Sequence, residues 1–117
     1  MQKLFDSELK VMELIWENER ISAKDVSLLA EEAFEWNKNT TYTVIKKVEA
    51  KGYVKRTDPG FICTSLITRE DVCKAETHGL IDRLFGGSKK ALFSALLDDE
   101  SLTPEEIDAL KTMINRR

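Results

Sequence analysis

Apolar residues recur at helical spacing through the first half of the chain, and polar interruptions mark where each helix should stop. Leu9, Met12, Ile15 and Trp16 form one stripe reaching to about Glu17, with Asp6-Ser7 as candidate cap. Asn18-Glu19-Arg20 breaks the stripe and leaves Ile21 as a possible short strand. Ser22 with Asp25 resembles a capping box, and Val26, Leu29, Ala30 and Ala33 give a second helix its buried face. A third helix should start at Asn37 as N-cap and stop at Gly52, which can take the left-handed conformation. At about 100° per residue, Thr41, Val44, Ile45 and Val48 share one side of it. Asn39, Thr43 and Lys46 fall on the opposite side, flanked by Thr40, Tyr42 and Lys47.

Beyond Gly52, two β-prone runs, Tyr53–Thr57 and Phe61–Ser65, surround the turn tripeptide Asp58-Pro59-Gly60 and read as a hairpin. Two scaffold helices, a third helix with a polar outer face and a hairpin describe a winged helix-turn-helix. The rest of the chain is helical. Thr68 with Asp71 caps a helix to about Phe85, striped by Val72, Cys73, Thr77, Leu80, Ile81 and Leu84 and ended by Gly86-Gly87. Ser88 caps a short helix whose Ala91–Leu97 run is apolar nearly all round, Ser94 apart. Thr103-Pro104-Glu105-Glu106 combines N-cap, Pro at the first helical position and a capping-box Glu ahead of Ile107, Leu110 and Ile114. The expected architecture is mainly α with a small β-hairpin: a winged helix over residues 1–67 and a three-helix region over 68–117.

Three helices in about 50 residues cannot by themselves dry a run such as Leu92–Leu97. A second copy of the chain is the economical cover, with Leu80, Ile81, Leu84, Leu92, Phe93, Leu96, Ile107, Leu110 and Ile114 as candidate dimer residues. Gly79 inside the fourth helix has two accounts, close backbone approach across such a dimer or simple tolerance.

Charge first argues against a nucleic-acid partner, because the 117 residues sum to −3. Local counting reverses that. Between Trp36 and Thr57, Lys38, Lys46, Lys47, Lys51, Lys55 and Arg56 face a single acid, Glu49, a balance of +5. Short hydrogen-bonding side chains beside lysines suit a major groove, where amides and hydroxyls meet base edges and cations meet phosphates. Candidate DNA-binding residues are therefore Lys38, Asn39, Thr40, Tyr42, Thr43, Lys46 and Lys47, with Arg56 on the wing. Tyr42 has two readings, a ring against the sugar–phosphate backbone or packing at the domain edge, and both tryptophans read as core.

Other chemistry is thin. One histidine, His78, and scattered acids offer no nucleophile–base pair, so no enzyme, cofactor or metal is expected. Cys63 and Cys73 read as small hydrophobes, with a redox-sensing pair as the rival reading. The opening Met1–Asp6 lacks the apolar core of a secretory signal and no window suits a membrane span, so the cytoplasm is the expected address.

Trp36–Val48 followed by Lys51–Arg56 is similar to the third helix and first wing strand of the BlaI/MecI penicillinase-repressor family. Further matches are Ser7–Met12 with Ile15-Trp16, Leu84–Ser88, and Leu102–Ile107. The resemblance implies a homodimeric winged-helix repressor that holds palindromic TACA/TGTA-type operator DNA and controls antibiotic-resistance, stress or metal-homeostasis genes. It implies DNA-facing roles for Asn39, Thr40, Tyr42, Thr43 and Lys47, and a base preference of its own where relatives carry a basic residue in place of Asn39 or Tyr42. It also implies a membrane sensor-transducer or its protease pathway as a partner. Two departures bear on release. Ala95-Leu96 stands where penicillinase repressors have a cleavable Asn-Phe, and the final Asn115-Arg116-Arg117 carries none of the copper-responsive branch's Cys-x-Cys pairs. The rival class is a winged helix that serves only as a protein-interaction module.

Overall fold

The computed structural model describes all 117 residues as six helices and one small sheet. In chain order these are α1 (Asp6–Glu17), β1 (Ile21–Ser22), α2 (Ala23–Phe34), α3 (Lys38–Ala50), β2 (Val54–Thr57), β3 (Ile62–Ser65), α4 (Arg69–Leu84), α5 (Lys89–Leu97) and α6 (Pro104–Asn115). The fold is the expected one, mainly helical with a winged hairpin. Residues 1–75 form one compact unit and residues 76–117 another.

The first unit is built around α3. Helices α1, α2 and α3 pack on one another, and α1 also packs on β3. Val11, Met12, Ile15, Val26, Ile45 and Val48 are fully withdrawn from water, each such side chain contributing about 1.5–3 kcal/mol through burial. The sheet is antiparallel in the order β1-β3-β2. Ile21 pairs with Cys63, and Arg56 pairs with Cys63 from the other side, so β3 is central and β2 is the outer wing strand. The single apolar residue left after the first helix break thus becomes a third strand.

Local chemistry ends the helices much as the residue pattern predicts. Ser22 Oγ accepts from the Asp25 N–H at 3.1 Å and Asn37 Oδ1 from the Thr40 N–H at 2.8 Å. At the end of α3, the Gly52 N–H reaches the Glu49 carbonyl at 3.0 Å and the Tyr53 N–H reaches that of Val48 at 3.1 Å. With Gly52 at φ +82°, this is the paired-bond left-handed stop that favours glycine. Thr68 with Asp71, Ser88, and Thr103 with Glu106 cap α4, α5 and α6.

Three details depart from the pattern. Helix α1 begins one residue early, because the Glu8 carboxylate accepts from the Phe5 N–H at 2.8 Å. Its buried arc takes in Glu8 and Val11 while Leu9 and Trp16 are only half-buried, since α1 is covered by helices and by the sheet. In α2 the buried positions are Ala23, Val26, Ser27 and Ala30; Ala33 is exposed and Leu29 half-buried.

Glu8 is the buried charge of this unit. Lys51, the residue directly after the end of α3, places Nζ 2.6 Å from Glu8 Oε1 and 2.7 Å from the Lys3 carbonyl. The Tyr53 hydroxyl donates to the Gln2 carbonyl nearby. Trp16 acts at the other end of α1, where its Nε1 donates to Ser65 Oγ at 3.0 Å and to the Ile67 carbonyl at 2.9 Å. Arg69 Nη2 lies 2.5 Å from Glu13 Oε2, and its guanidinium is 5.4 Å from the Trp16 ring centroid. These contacts, with buried Val72 in the core, bind the first turn of α4 to the winged helix.

In the second unit, Ile81 is buried within the chain and Leu80, Leu92, Ile107 and Leu110 are half-buried. Leu84, Phe93, Leu96, Leu97, Met113 and Ile114 are exposed. Phe93, Leu110, Met113, Ile114 and Arg117 line one predominantly apolar hollow. An added Cβ at Gly79 would meet only the end of the Arg83 side chain, at 3.1 Å, so nothing within the chain demands glycine there.

Burial alone would raise the Glu8 pKa, but hydrogen bonds from Lys51 and the Phe5 N–H, with the charges of Lys51 and Lys47, bring it below its ordinary value of 4.5. A depressed carboxylate contributes stability above its unfolded pKa and loses it as pH falls through the folded one. Thermal unfolding should therefore show stability falling as pH drops below about 4.5. Glu8→Gln should cost about 2 kcal/mol at neutral pH, the scale of a charge-assisted hydrogen bond, and should flatten that acid limb. An equally steep limb in the variant would place the titration elsewhere.

Candidate nucleic-acid interface

Helix α3 is divided cleanly by burial. Thr41, Val44, Ile45 and Val48 are buried, while Lys38, Asn39, Thr40, Thr43, Lys46 and Lys47 are exposed. Thr41 can lie on the core side because its Oγ1 lies 3.4 Å from the Asn37 carbonyl, one turn back. Trp36 packs half-buried against the core just ahead of the helix, with the Phe34 ring at 5.2 Å. Asn39, Thr40, Thr43 and Lys47 join Ser7 and Asn37 along one shallow groove beside the N-terminus of α1.

Two sequence-identified residues behave differently. Tyr42 is half-buried and turned toward the wing, its ring 6.0 Å from that of Phe61 and beneath Lys38 Nζ at 5.5 Å. Of its two readings, packing at the domain edge is the one this geometry displays. Arg56 is exposed on β2, with its guanidinium 3.9 Å from the Phe61 ring centroid and Nε 3.3 Å from Asp58 Oδ1. Phe61 was legible only as a strand residue; its place between a wing cation and a helix ring depends on pairing across the hairpin.

The local positive balance also needs correction. Lys51 is 17% exposed and committed to Glu8, so five of the six cations in that stretch remain on the surface. The signal was available in principle, since Glu8 sits among the apolar positions of α1. Pairing it with a lysine 43 residues away requires the tertiary structure.

Cys63 and Cys73 are not disulfide-linked, and Cys63 is buried in the sheet while Cys73 is exposed on α4. Burial, with the Glu49 charge, pushes the Cys63 thiol up to about 11 despite Arg56, which keeps it protonated and unreactive near neutrality. No group of three His, Cys, Asp or Glu residues lies close enough together to hold a metal ion. No helix is long and apolar enough to cross a membrane.

A sequence model described as "Penicillinase repressor" matches residues 4–116, nearly the whole chain. The chain belongs to the penicillinase repressor family. This is a family of transcriptional repressors and not of enzymes. Among its relatives is the penicillinase repressor of Bacillus licheniformis, 26% identical over 110 residues that span 92% of this chain and 86% of that protein. The methicillin resistance regulatory protein MecI of Staphylococcus aureus is 23% identical over 117 residues, covering 98% of this chain and 95% of the relative. Among solved structures, the DNA-binding domain of the repressor BlaI matches with a TM-score of 0.55 and 28% identity, over 61% of this chain and 93% of that one. The B. licheniformis BlaI monomer in complex with the blaP half-operator matches with a TM-score of 0.53 and 26% identity, over 60% and 88%. Over the part matched, the chain thus has the winged-helix fold of a solved DNA-binding domain.

If α3 faces DNA as its burial pattern directs, its cations separate by role. Lys47→Ala should weaken binding to every duplex and lower the slope of log Kobs against log[salt] by about one unit. Lys51→Met, which removes a cation already held by Glu8, should leave that slope unchanged even as it lowers Tm. Thr43→Ala should shift preference among operator variants, where a good base contact is worth about 1–3 kcal/mol; a uniform loss on all sequences would remove it from base reading.

Proposed function

We propose that this chain represses transcription by holding double-stranded operator DNA as a homodimer, with α3 in the major groove of each half-site. The observation that carries this reading is the division of α3: four residues anchor it in the core, while amide, hydroxyl and ammonium groups line its outer face. Asn39, Thr40 and Thr43 have the short polar groups that meet base edges, and Lys46 and Lys47 the cations that meet phosphates. Lys38 lies in the first turn of α3, where free N–H groups and the helix dipole add to its charge. Arg56 on the wing reaches flanking phosphate or a narrow minor groove. The half-operator complex of a similar repressor supports a duplex as the ligand. The relatives' names support antibiotic-resistance genes as the first targets to examine, with stress or metal-homeostasis genes beyond them.

Residues 68–117 supply the two-fold contact in this reading. Six large apolar residues of the second unit are left in water by a single copy, and Phe93 and Leu96 lie among them on α5. A two-fold dimer buries such a patch and sets two recognition helices at a defined spacing. The family resemblance points to a membrane sensor-transducer or its protease pathway as a partner, although Ala95-Leu96 on α5 stands where that resemblance implies an Asn-Phe pair.

Selection from a random duplex pool tests the reading directly. A two-fold symmetric consensus bound in a salt-dependent way is expected. Recovery of unselected sequences would favour an interaction module instead. Phe93→Asp with Leu96→Asp should convert the dimer to monomer in analytical ultracentrifugation and weaken full operators far more than single half-sites. A dimer that persists would move the interface off α5.

A further inference from the structure

Phe61 occupies a costly position. Its φ is +49°, in the left-handed region that bulky residues avoid, directly after Gly60 at +94°. Its carbonyl accepts from the Ala23 N–H at 2.9 Å, a bond any residue could provide. The ring is what distinguishes this residue. Arg56 lies on it at 3.9 Å and Tyr42 packs tilted at 56° beside it, while Lys38 caps Tyr42 at 5.5 Å. Two aromatic rings thus join a cation of β2 to a cation of α3.

We infer that Phe61 is a positioning residue for DNA binding, holding the wing cation Arg56 and the recognition-helix ring of Tyr42 in one stack. The inference rests on the DNA-binding reading above and deepens it. Asp58 accepts from Arg56 Nε at 3.3 Å, and the Phe61 ring covers one face of the guanidinium. Those two contacts fix the plane of the group and leave its Nη pair for a phosphate. A preorganised guanidinium loses less rotamer freedom when the duplex arrives. The same ring ties the wing to Tyr42, so the wing contact and the α3 contacts keep one register on the duplex. A residue such as leucine could fill the space but could not stack the guanidinium.

The test uses the full chain and a duplex recovered from the random pool, titrated across salt. Phe61→Leu should weaken binding about fivefold to tenfold and reduce the salt slope by about 0.9, the signature of one lost phosphate contact. Arg56→Ala should do the same, and Phe61→Leu should add little in the Arg56→Ala background. Phe61→Tyr should restore both affinity and slope. Phe61→Asn removes the ring while suiting the left-handed backbone, so it should reproduce the Leu result on a folded chain. A normal slope in Phe61→Leu and Phe61→Asn, or effects that simply add to Arg56→Ala, would overturn the inference. An Arg56→Ala variant that binds as wild type would overturn it too, while leaving α3 as the reading element. A wild-type chain that retains no duplex would overturn both readings.

Discussion

Burial of Thr41, Val44, Ile45 and Val48 sets the rotation of α3 about its axis, and the outward chemistry of the winged helix follows from that rotation. Turning the helix by one residue, about 100°, would bring charged or polar groups into a core of Val11, Met12, Ile15 and Val26. Such a turn would leave polar atoms unpaired at several kcal/mol, whereas in the observed orientation no buried side-chain polar atom lacks a partner. The groups left outside, Asn39, Thr43, Lys46 and Lys47, are therefore presented as a consequence of packing and not by their own interactions. The Asn37 cap and the Gly52 stop fix where the helix begins and ends; the core fixes which way it faces.

Electrostatics works at two ranges in this protein. The chain is acidic overall, yet the stretch from Trp36 to Thr57 carries six cations against one acid, so a locally positive element and wing sit within a net-negative protein. Within that group Lys51 does a different task from its neighbours. Its ammonium satisfies Glu8 and the Lys3 carbonyl, closing the chain's N-terminal segment over the end of α3. Arg56 is divided in the same sense, since Asp58 and Phe61 hold it in place while the α3 lysines stand in solvent.

The second unit has the opposite balance of constraints. Its helices are well capped, by Ser88 and by the Thr103–Glu106 box, yet only Ile81 among its large apolar side chains is buried. Caps settle where α5 and α6 start; they contribute about 1 kcal/mol each and cannot substitute for a core. Forty-two residues leave Leu84, Phe93, Leu97, Met113 and Ile114 in water, exposed apolar surface of the kind that marks an interaction site.

Helix boundaries, the hairpin and the division of α3 were readable from the residues alone, because caps, left-handed glycines and 3.6-residue periodicity act within a few positions of one another. The same locality made the outward polar face of Asn39, Thr43 and Lys46 legible. Everything that joins distant positions had to wait for the fold: Ile21 becoming a strand against Cys63, Glu8 receiving Lys51, Trp16 reaching Ser65, and Phe61 linking Arg56 to Tyr42. Residues 43 to 51 apart in sequence meet in several of these contacts. No periodicity encodes such pairs, since each depends on how whole elements cross. The chain by itself therefore determined which helix carries an outward face of amides, hydroxyls and lysines; the tertiary structure decided which cations of that stretch stay on the surface.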